Sequence, residues 1–194
     1  MNNVSYAFGV VLGANLKQHE GVEDLDVELL KKGLEDVLKG RETLNGQAAG
    51  QMVNAHINKA AQAQGQKNLV AGQKFLEENK KKDGIVTLPS GLQYQVIQEG
   101  TGPKPTYQSK VTTHYHGTLI NGDVFDSSIA RNQPASFPVN GVIAGWTEAL
   151  QLMPVGSKWK LFIPSDLAYG ARGAGGKIGP NAALIFDIEL ISIN

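Results

Sequence analysis

From about Gln47 to Lys82 the chain contains no proline and is rich in Gln, Ala, Asn and Lys. Apolar residues are thinly spread there, at Met52, Val53, Ile57, Leu69, Val70, Phe75 and Leu76. With nothing to break it and too few apolar side chains to fill a core, such a stretch suits one long, mostly solvated helix, roughly 50 Å at about 1.5 Å per residue. Gly50, Gly65 and Gly72 mark where that helix could bend or break, and a disordered linker is the alternative. A solvated spacer of this length divides the chain in three. The expected parts are a helical dimerisation domain over 1–46, a long linker helix over 47–83 and a second folded domain over 84–194.

In the first part, Tyr6, Phe8, Val11, Leu12 and Leu16 recur at near-helical spacing, which predicts a short helix from Ser5 to Lys17. Ser5, Gly9 and Gly13 leave one of its faces nearly bare. Each interior glycine costs a helix about 1 kcal/mol relative to alanine, so close approach of another backbone is the expected reason for two of them. A second helix is predicted over Val27 to Lys39. Asp26 is its N-cap, Leu25 and Leu30 stand at staple positions, and Gly40 supplies the left-handed residue after its end. Two short helices cannot bury their apolar stripes against each other alone, so two intertwined copies of the chain are the simple solution.

The last part reads differently. Asp83-Gly84 ends the long helix, and Leu88-Pro89-Ser90-Gly91 is turn chemistry. Leu92, Tyr94 and Val96 alternate with Gln93 and Gln95, as in a half-buried strand. A strand over Val111 to Ile120, the hairpin signal Asn121-Gly122 and a return strand through Val124 and Phe125 follow. Ala135 to Val139 is short and extended, Val142 to Leu152 a short helix, and Lys158 to Ile163 and Ala183 to Ile193 two more strands. Runs of strands with one short helix indicate an antiparallel sheet wrapped on that helix, so the fold class is α+β with an all-helical N-terminal part.

Composition narrows the functions. Of 194 residues 41% are apolar and 19% charged, ordinary usage for a folded chain. A formal net charge of zero argues against nucleic acid as the main partner. The absence of cysteine excludes disulfides and thiolate zinc sites. No apolar run is long enough to span a membrane, and Met1-Asn2-Asn3-Val4-Ser5 lacks a basic region followed by an apolar core. Cytoplasm is the default expectation, with periplasm or cell surface the alternative if a leader has been removed.

Four pieces between Val124 and Phe186 carry the chemistry: V-F-D-S-S from Val124, G-V-I-A-G-W from Gly141, L-A-Y-G from Leu167 and L-I-F-D from Leu184. They supply rings, branched apolar side chains, one buried-looking acid and one tyrosine hydroxyl, with no cofactor or metal site implied. That inventory suits a dry pocket gripping an apolar ring and a carbonyl. With H-Y-H-G around Tyr115, M-P-V-G-S from Met153 and the closing I-F-D-I-E-L, residues 84 to 194 resemble an FKBP-type peptidyl-prolyl cis-trans isomerase. The two short helices and long stalk resemble the macrophage infectivity potentiator-like branch of that family.

The resemblance implies acceleration of X-Pro rotation in folding proteins, with clients held by a homodimer formed through the N-terminal helices. It implies Trp146 as the floor under the proline ring, Tyr115, Phe125, Val142, Ile143 and Phe186 as walls, and Phe137 and Ile178 at the edge. Tyr169 would offer its hydroxyl and Ile143 its backbone N–H to substrate carbonyls. Asp126 would sit at the rim, paired with Arg131 or bonded to Tyr115. Binding of macrolides such as rapamycin in the same pocket is also implied. From the residues alone, a non-catalytic proline-peptide binder or holdase stays open, as does an Asx turn at Asp126.

Other patterns fall away. Gly175-Gly176-Lys177 lacks the first glycine and the hydroxyl residue of a phosphate loop, and it precedes a strand. Its short flap, Ala171 to Asn181, carries Ala174 and Lys177 where many members of the family have bulkier residues. His114 and His116, two apart on a predicted strand, read as a cross-strand polar pair rather than zinc ligands.

Overall fold

A computed structural model describes residues 3–19 and 21–194; Met1, Asn2 and Glu20 lie outside the described residues. The chain divides into two compact units, Met1–Gln64 and Gly65–Asn194. In the first, α1 spans Val4–Leu16 and begins where Asn3 Oδ1 accepts from Ser5 N at 2.9 Å. The next helix, α2, spans Val27–Leu38. Asp26 caps it, its carboxylate accepting from the N–H groups of Glu28 and Leu29, and Gly40 follows with φ +62°. Both short helices thus form where expected, with no buried residue on either.

The long helix α3 spans Gly46–Asn79 and runs through Gly50, Gly65 and Gly72. The boundary between the compact units falls within it, so Gly65–Asn79 belongs with the sheet. The helix is mostly solvated, as expected, and its buried residues, Gly65, Gly72 and Asn79, all fall in this second part. Gly65 and Gly72 do not mark breaks. A Cβ on Gly72 would stand 3.0 Å from Ala183 Cβ, so the bare position is where the helix meets its neighbour.

In the second unit the strands are β1 (Ile85–Thr87), β2 (Gln93–Gln98), β3 (Lys110–Leu119), β4 (Val124–Ser127) and β5 (Ala135–Pro138). After α4 (Ala144–Leu150) come β6 (Lys158–Ile163) and β7 (Leu184–Ile193). They form one antiparallel sheet in the order β1-β2-β6-β7-β3-β4, with β5 also on β3. The one strand without a sequence expectation is β1, although Ile85, Val86 and Thr87 are all β-branched.

Alternation sets the core. Leu184, Phe186, Ile188 and Leu190 of β7 are buried, as are Val111, Thr113 and Tyr115 of β3 and Trp159, Leu161 and Ile163 of β6. Trp146, Ala149 and Leu150 of α4 complete the same cluster. Burial of each large apolar side chain contributes roughly 1.5–3 kcal/mol. The opposite face of β6 and β2 is covered by the end of α3. Phe162 lies with its ring centroid 6.0 Å from that of Phe75. Gln93, read as a solvent-facing residue, is buried there: it donates to Leu76 O at 2.9 Å and accepts from Asn79 Nδ2 at 2.9 Å.

One edge of β3 is shared by two strands. Lys110–Thr113 pairs with β5 and His116–Thr118 with β4. Between them Ser128 fills the gap, its Oγ accepting from Tyr115 N at 2.8 Å and its N–H donating to Tyr115 O at 3.0 Å. This holds Tyr115 at the point where the edge opens, which is where the candidate site lies.

Candidate active site

A cleft of about 620 Å³ opens between the concave face of the sheet, α4 and the flap, within the range of small-ligand sites. Tyr115, Phe125, Asp126, Phe137, Val142, Ile143, Trp146, Tyr169, Ile178 and Phe186 all line it. The residues singled out from the sequence are therefore brought to one place. Sequence reasoning left out Gly141 as a lining residue, and it treated Ala174 and Lys177 only as flap composition; both line the cleft, with Gly175. No sequence signal marked Gly141; in the structure a Cβ there would meet Pro138 Cγ at 2.7 Å.

Trp146 is the floor. The rings of Tyr115, Phe137 and Phe186 stand nearly edge-on to its indole, at centroid distances of 5.4, 5.8 and 5.1 Å and interplanar angles of 79°, 89° and 80°. Such edge-to-face contacts suit aromatic quadrupoles and fix each ring against its neighbour. Phe125 extends the cluster, 5.4 Å from Phe186 at 82°. Phe137, expected at the edge, thus stands beside the floor. Gly117 makes room for two of these rings: a Cβ there would lie 2.6 Å from Phe125 and 2.8 Å from Phe186.

At the rim both alternatives for Asp126 hold together. Tyr115 donates its hydroxyl to Asp126 Oδ2 at 2.5 Å, while Arg131 pairs with Asp126 Oδ1 and donates through Nη2 to the Tyr115 oxygen at 2.8 Å. Ser127 N also donates to Asp126 Oδ1, at 2.8 Å. Desolvation alone would raise the Asp126 carboxyl. The hydrogen bonds from Tyr115 and Arg131, with the guanidinium charge, outweigh it and hold the group below the usual carboxylate range. Burial, then the bond to Asp126, pushes the Tyr115 phenol above its ordinary value. This triangle fixes a wall of the cleft and keeps its acid ionised.

Among the described residues the Tyr169 hydroxyl and the Ile143 backbone N–H on the lining have no hydrogen-bond partner, and neither has the buried Nε1 of Trp146. Tyr169 is exposed. Ile143 stands at the start of α4, where its carbonyl accepts from Trp146 and Thr147. Away from the cleft, His114 and His116 bond through Nδ1 to Ser128 and Ser127, at 3.1 and 3.0 Å. Among the described residues no group of His, Cys, Asp or Glu has the arrangement of a metal site.

A twisted antiparallel sheet closed on one short helix, with a cup of rings and unpaired donors at its mouth, defines a binder of apolar rings carried on amide groups. Family models match at both ends of the chain. One, described as FKBP-type peptidyl-prolyl cis-trans isomerase, matches residues 102–191; the other, the domain amino terminal to it, matches residues 1–96. The FKBP-type 22 kDa peptidyl-prolyl cis-trans isomerase of Escherichia coli is 47% identical over 97% of this chain and 93% of its own length. The outer membrane protein MIP of Legionella longbeachae is 46% identical over 99% of this chain and 85% of its own. The crystal structure of FkpA from Escherichia coli superposes with a TM-score of 0.71 at 36% identity, covering 98% of this chain and 95% of that one.

The chain belongs to the FKBP-type peptidyl-prolyl cis-trans isomerases. Its two-part architecture, an N-terminal helical part with a long helix and then the sheet and helix, is that of FkpA. The default expectation of cytoplasm finds no support in these relatives, one of which is named as an outer membrane protein. No helix among the described residues is long and apolar enough to cross a membrane.

Proposed function

We propose that the cleft binds the proline ring of a client on Trp146 and accelerates rotation of the preceding amide without making or breaking a bond. The barrier, roughly 18–20 kcal/mol, comes from amide resonance, which is lost in the twisted state. A surface that binds the twisted amide more tightly than the planar one lowers it, and about 7 kcal/mol of such preference is worth about 10⁵ in rate. The observation that carries this reading is the ring cup with the unpaired Tyr169 hydroxyl and Ile143 N–H at its mouth. In this reading Phe125, Phe137, Val142, Ile178 and Phe186 enclose the ring and exclude water, while Tyr169 and the Ile143 N–H hold carbonyls on either side. Asp126 and Tyr115 are occupied by each other and by Arg131, so their part is to hold the wall and its charge in place, not to move a proton.

A protease-coupled assay on an X-Pro peptide tests this. Turnover that falls on Tyr169→Phe and on Asp126→Ala supports it. A wild-type chain that binds the peptide without accelerating rotation favours the non-catalytic binder or holdase.

The helices α1 and α2 support a homodimer that holds unfolded, proline-containing clients between two such clefts. Tyr6 and Phe8 are 74% and 67% exposed in the single chain, and Val10, Val11 and Leu12 put apolar side chains on further sides of α1. A helix apolar all round calls for burial all round. Two linked clefts raise apparent affinity for a long client without altering either pocket. Macrolides such as rapamycin would compete for the same cleft. The name of the Legionella relative supports a place in the bacterial envelope, which cell fractionation would test.

A further inference from the structure

The part of α3 that belongs to the sheet unit touches the flap that closes the cleft. Gly65, Asn68 and Gly72 recur at helical spacing on one face. Asn68 Nδ2 donates to Pro180 O at 2.8 Å, and Asn181 Nδ2 donates to Gly65 O at 3.4 Å. A Cβ on Gly65 would stand 3.1 Å from Pro180 Cβ, and one on Gly179 3.0 Å from Asn68 Nδ2. Helix and return limb therefore meet so closely that another carbon would fit only if its neighbour shifted by a few tenths of an ångström.

The rest of the flap is thinly supported. Its internal pairing is the isolated bridge between Ala174 and Ile178, around a tip where Gly175 and Gly176 have φ of +60° and +68° and nothing beside them. At its base Asn181 N donates to Gly170 O at 2.8 Å. The limb held by α3 thus starts one residue after Ile178, and the base it closes starts one residue after Tyr169. Position is passed to both cleft residues through a single short segment of backbone.

We propose that this face of α3 is a clamp on the flap, and that Asn68 is a positioning residue that sets where Ile178 and Tyr169 stand in the cleft. The consequence for catalysis rests on the isomerase reading above; the clamp itself does not.

The test uses the full chain labelled with ¹⁵N, as wild type and as Asn68→Asp, which keeps the shape and removes the donor. Backbone heteronuclear NOEs of Gly175, Gly176 and Lys177 are compared with that of Leu161 in the core, and kcat and KM on an X-Pro peptide are measured separately. The clamp predicts lower NOEs at the flap with Leu161 unchanged. It also predicts KM raised roughly threefold to tenfold, the ordinary worth of one hydrogen bond, with kcat close to wild type. Flap NOEs and KM that match wild type overturn it, even if the variant is less stable to urea, since that is what a merely structural contact would do. If Asn68→Asp loses the Leu161 signal through unfolding, Gly65→Ala decides, adding one methyl against Pro180: altered flap amides support the clamp and unaltered ones refute it. Should the wild type not isomerise the peptide at all, the reading of the cleft fails while the NOEs still judge the clamp.

Discussion

The two ends of the chain solve burial in different ways. In the sheet unit every large side chain that faces α4 finds its neighbours within the chain: Leu161, Ile163, Leu184 and Leu190 have no exposed surface. In α1 and α2 nothing is buried, and Leu29, Leu34 and Val37 stand in solvent beside the residues of α1. One region completes its core alone; the other carries the side chains of a core without the rest of it. If the helical half forms the proposed homodimer, stability and association are separable: the self-sufficient half carries the cleft, and the helical half sets how many clefts a client meets.

The largest effect that would break this contrast is on assembly. Phe8→Glu with Leu12→Glu should weaken association by at least about 10³-fold, since two side chains of this size, covered in the proposed dimer, are together worth roughly 4 kcal/mol. Light scattering should then show a monomer with unchanged turnover of a short X-Pro peptide. Next in size, Leu161→Ala should lower unfolding free energy by about 2–5 kcal/mol in urea at any protein concentration. By contrast, Leu34→Ala should move a transition whose midpoint depends on concentration.

Smaller again is the Tyr115, Asp126, Arg131 triangle. Tyr115→Phe removes the hydroxyl and should cost about 1 kcal/mol. The pH dependence has a definite sign. The Asp126 pKa is lowered in the folded chain, so its contribution is present above the ordinary carboxylate range and is lost as pH falls through the lowered value. Asp126→Asn should therefore flatten the acid limb of the urea midpoint against pH. The Tyr115 pKa is raised, so its contribution is lost on the alkaline side, and Tyr115→Phe should remove that loss.

The smallest effect compares two glycines of one helix. Gly50→Ala meets nothing and should stabilise by up to about 1 kcal/mol by circular dichroism melting. At Gly72 the added carbon lies 3.0 Å from Ala183 Cβ, so the same change should gain nothing there.

What could be read in the sequence follows the range of the forces involved. Local signals carried well: Asp26 as a cap, Gly40 after α2, and Lys158–Ile163 as a strand whose ends match the structure. The ring cup was legible through the order of its motifs, although no single aromatic would have marked it. Long-range packing was not legible. Gln93 reads as the polar side of a half-buried strand because alternation sees one face at a time, and α3 arrives on the other face from residues far upstream. Gly65 and Gly72 read as weak points for the same reason: helix propensity counts the missing side chain, and only the structure shows Pro180, Asn181 and Ala183 occupying its place. The split edge of β3 depends on Ser128, whose role lies in a bond to the backbone of Tyr115.

The central claim, that rings and free donors alone turn a prolyl amide, is tested most directly by two-dimensional NMR exchange on a peptide with one X-Pro bond and a substoichiometric amount of the full chain. The account predicts cis and trans cross-peaks growing in much faster than without protein, and a marked slowing when Trp146→Leu or Tyr169→Phe replaces the wild type. Peptide resonances that shift or broaden on binding while the cis-trans exchange rate stays at its uncatalysed value would contradict it.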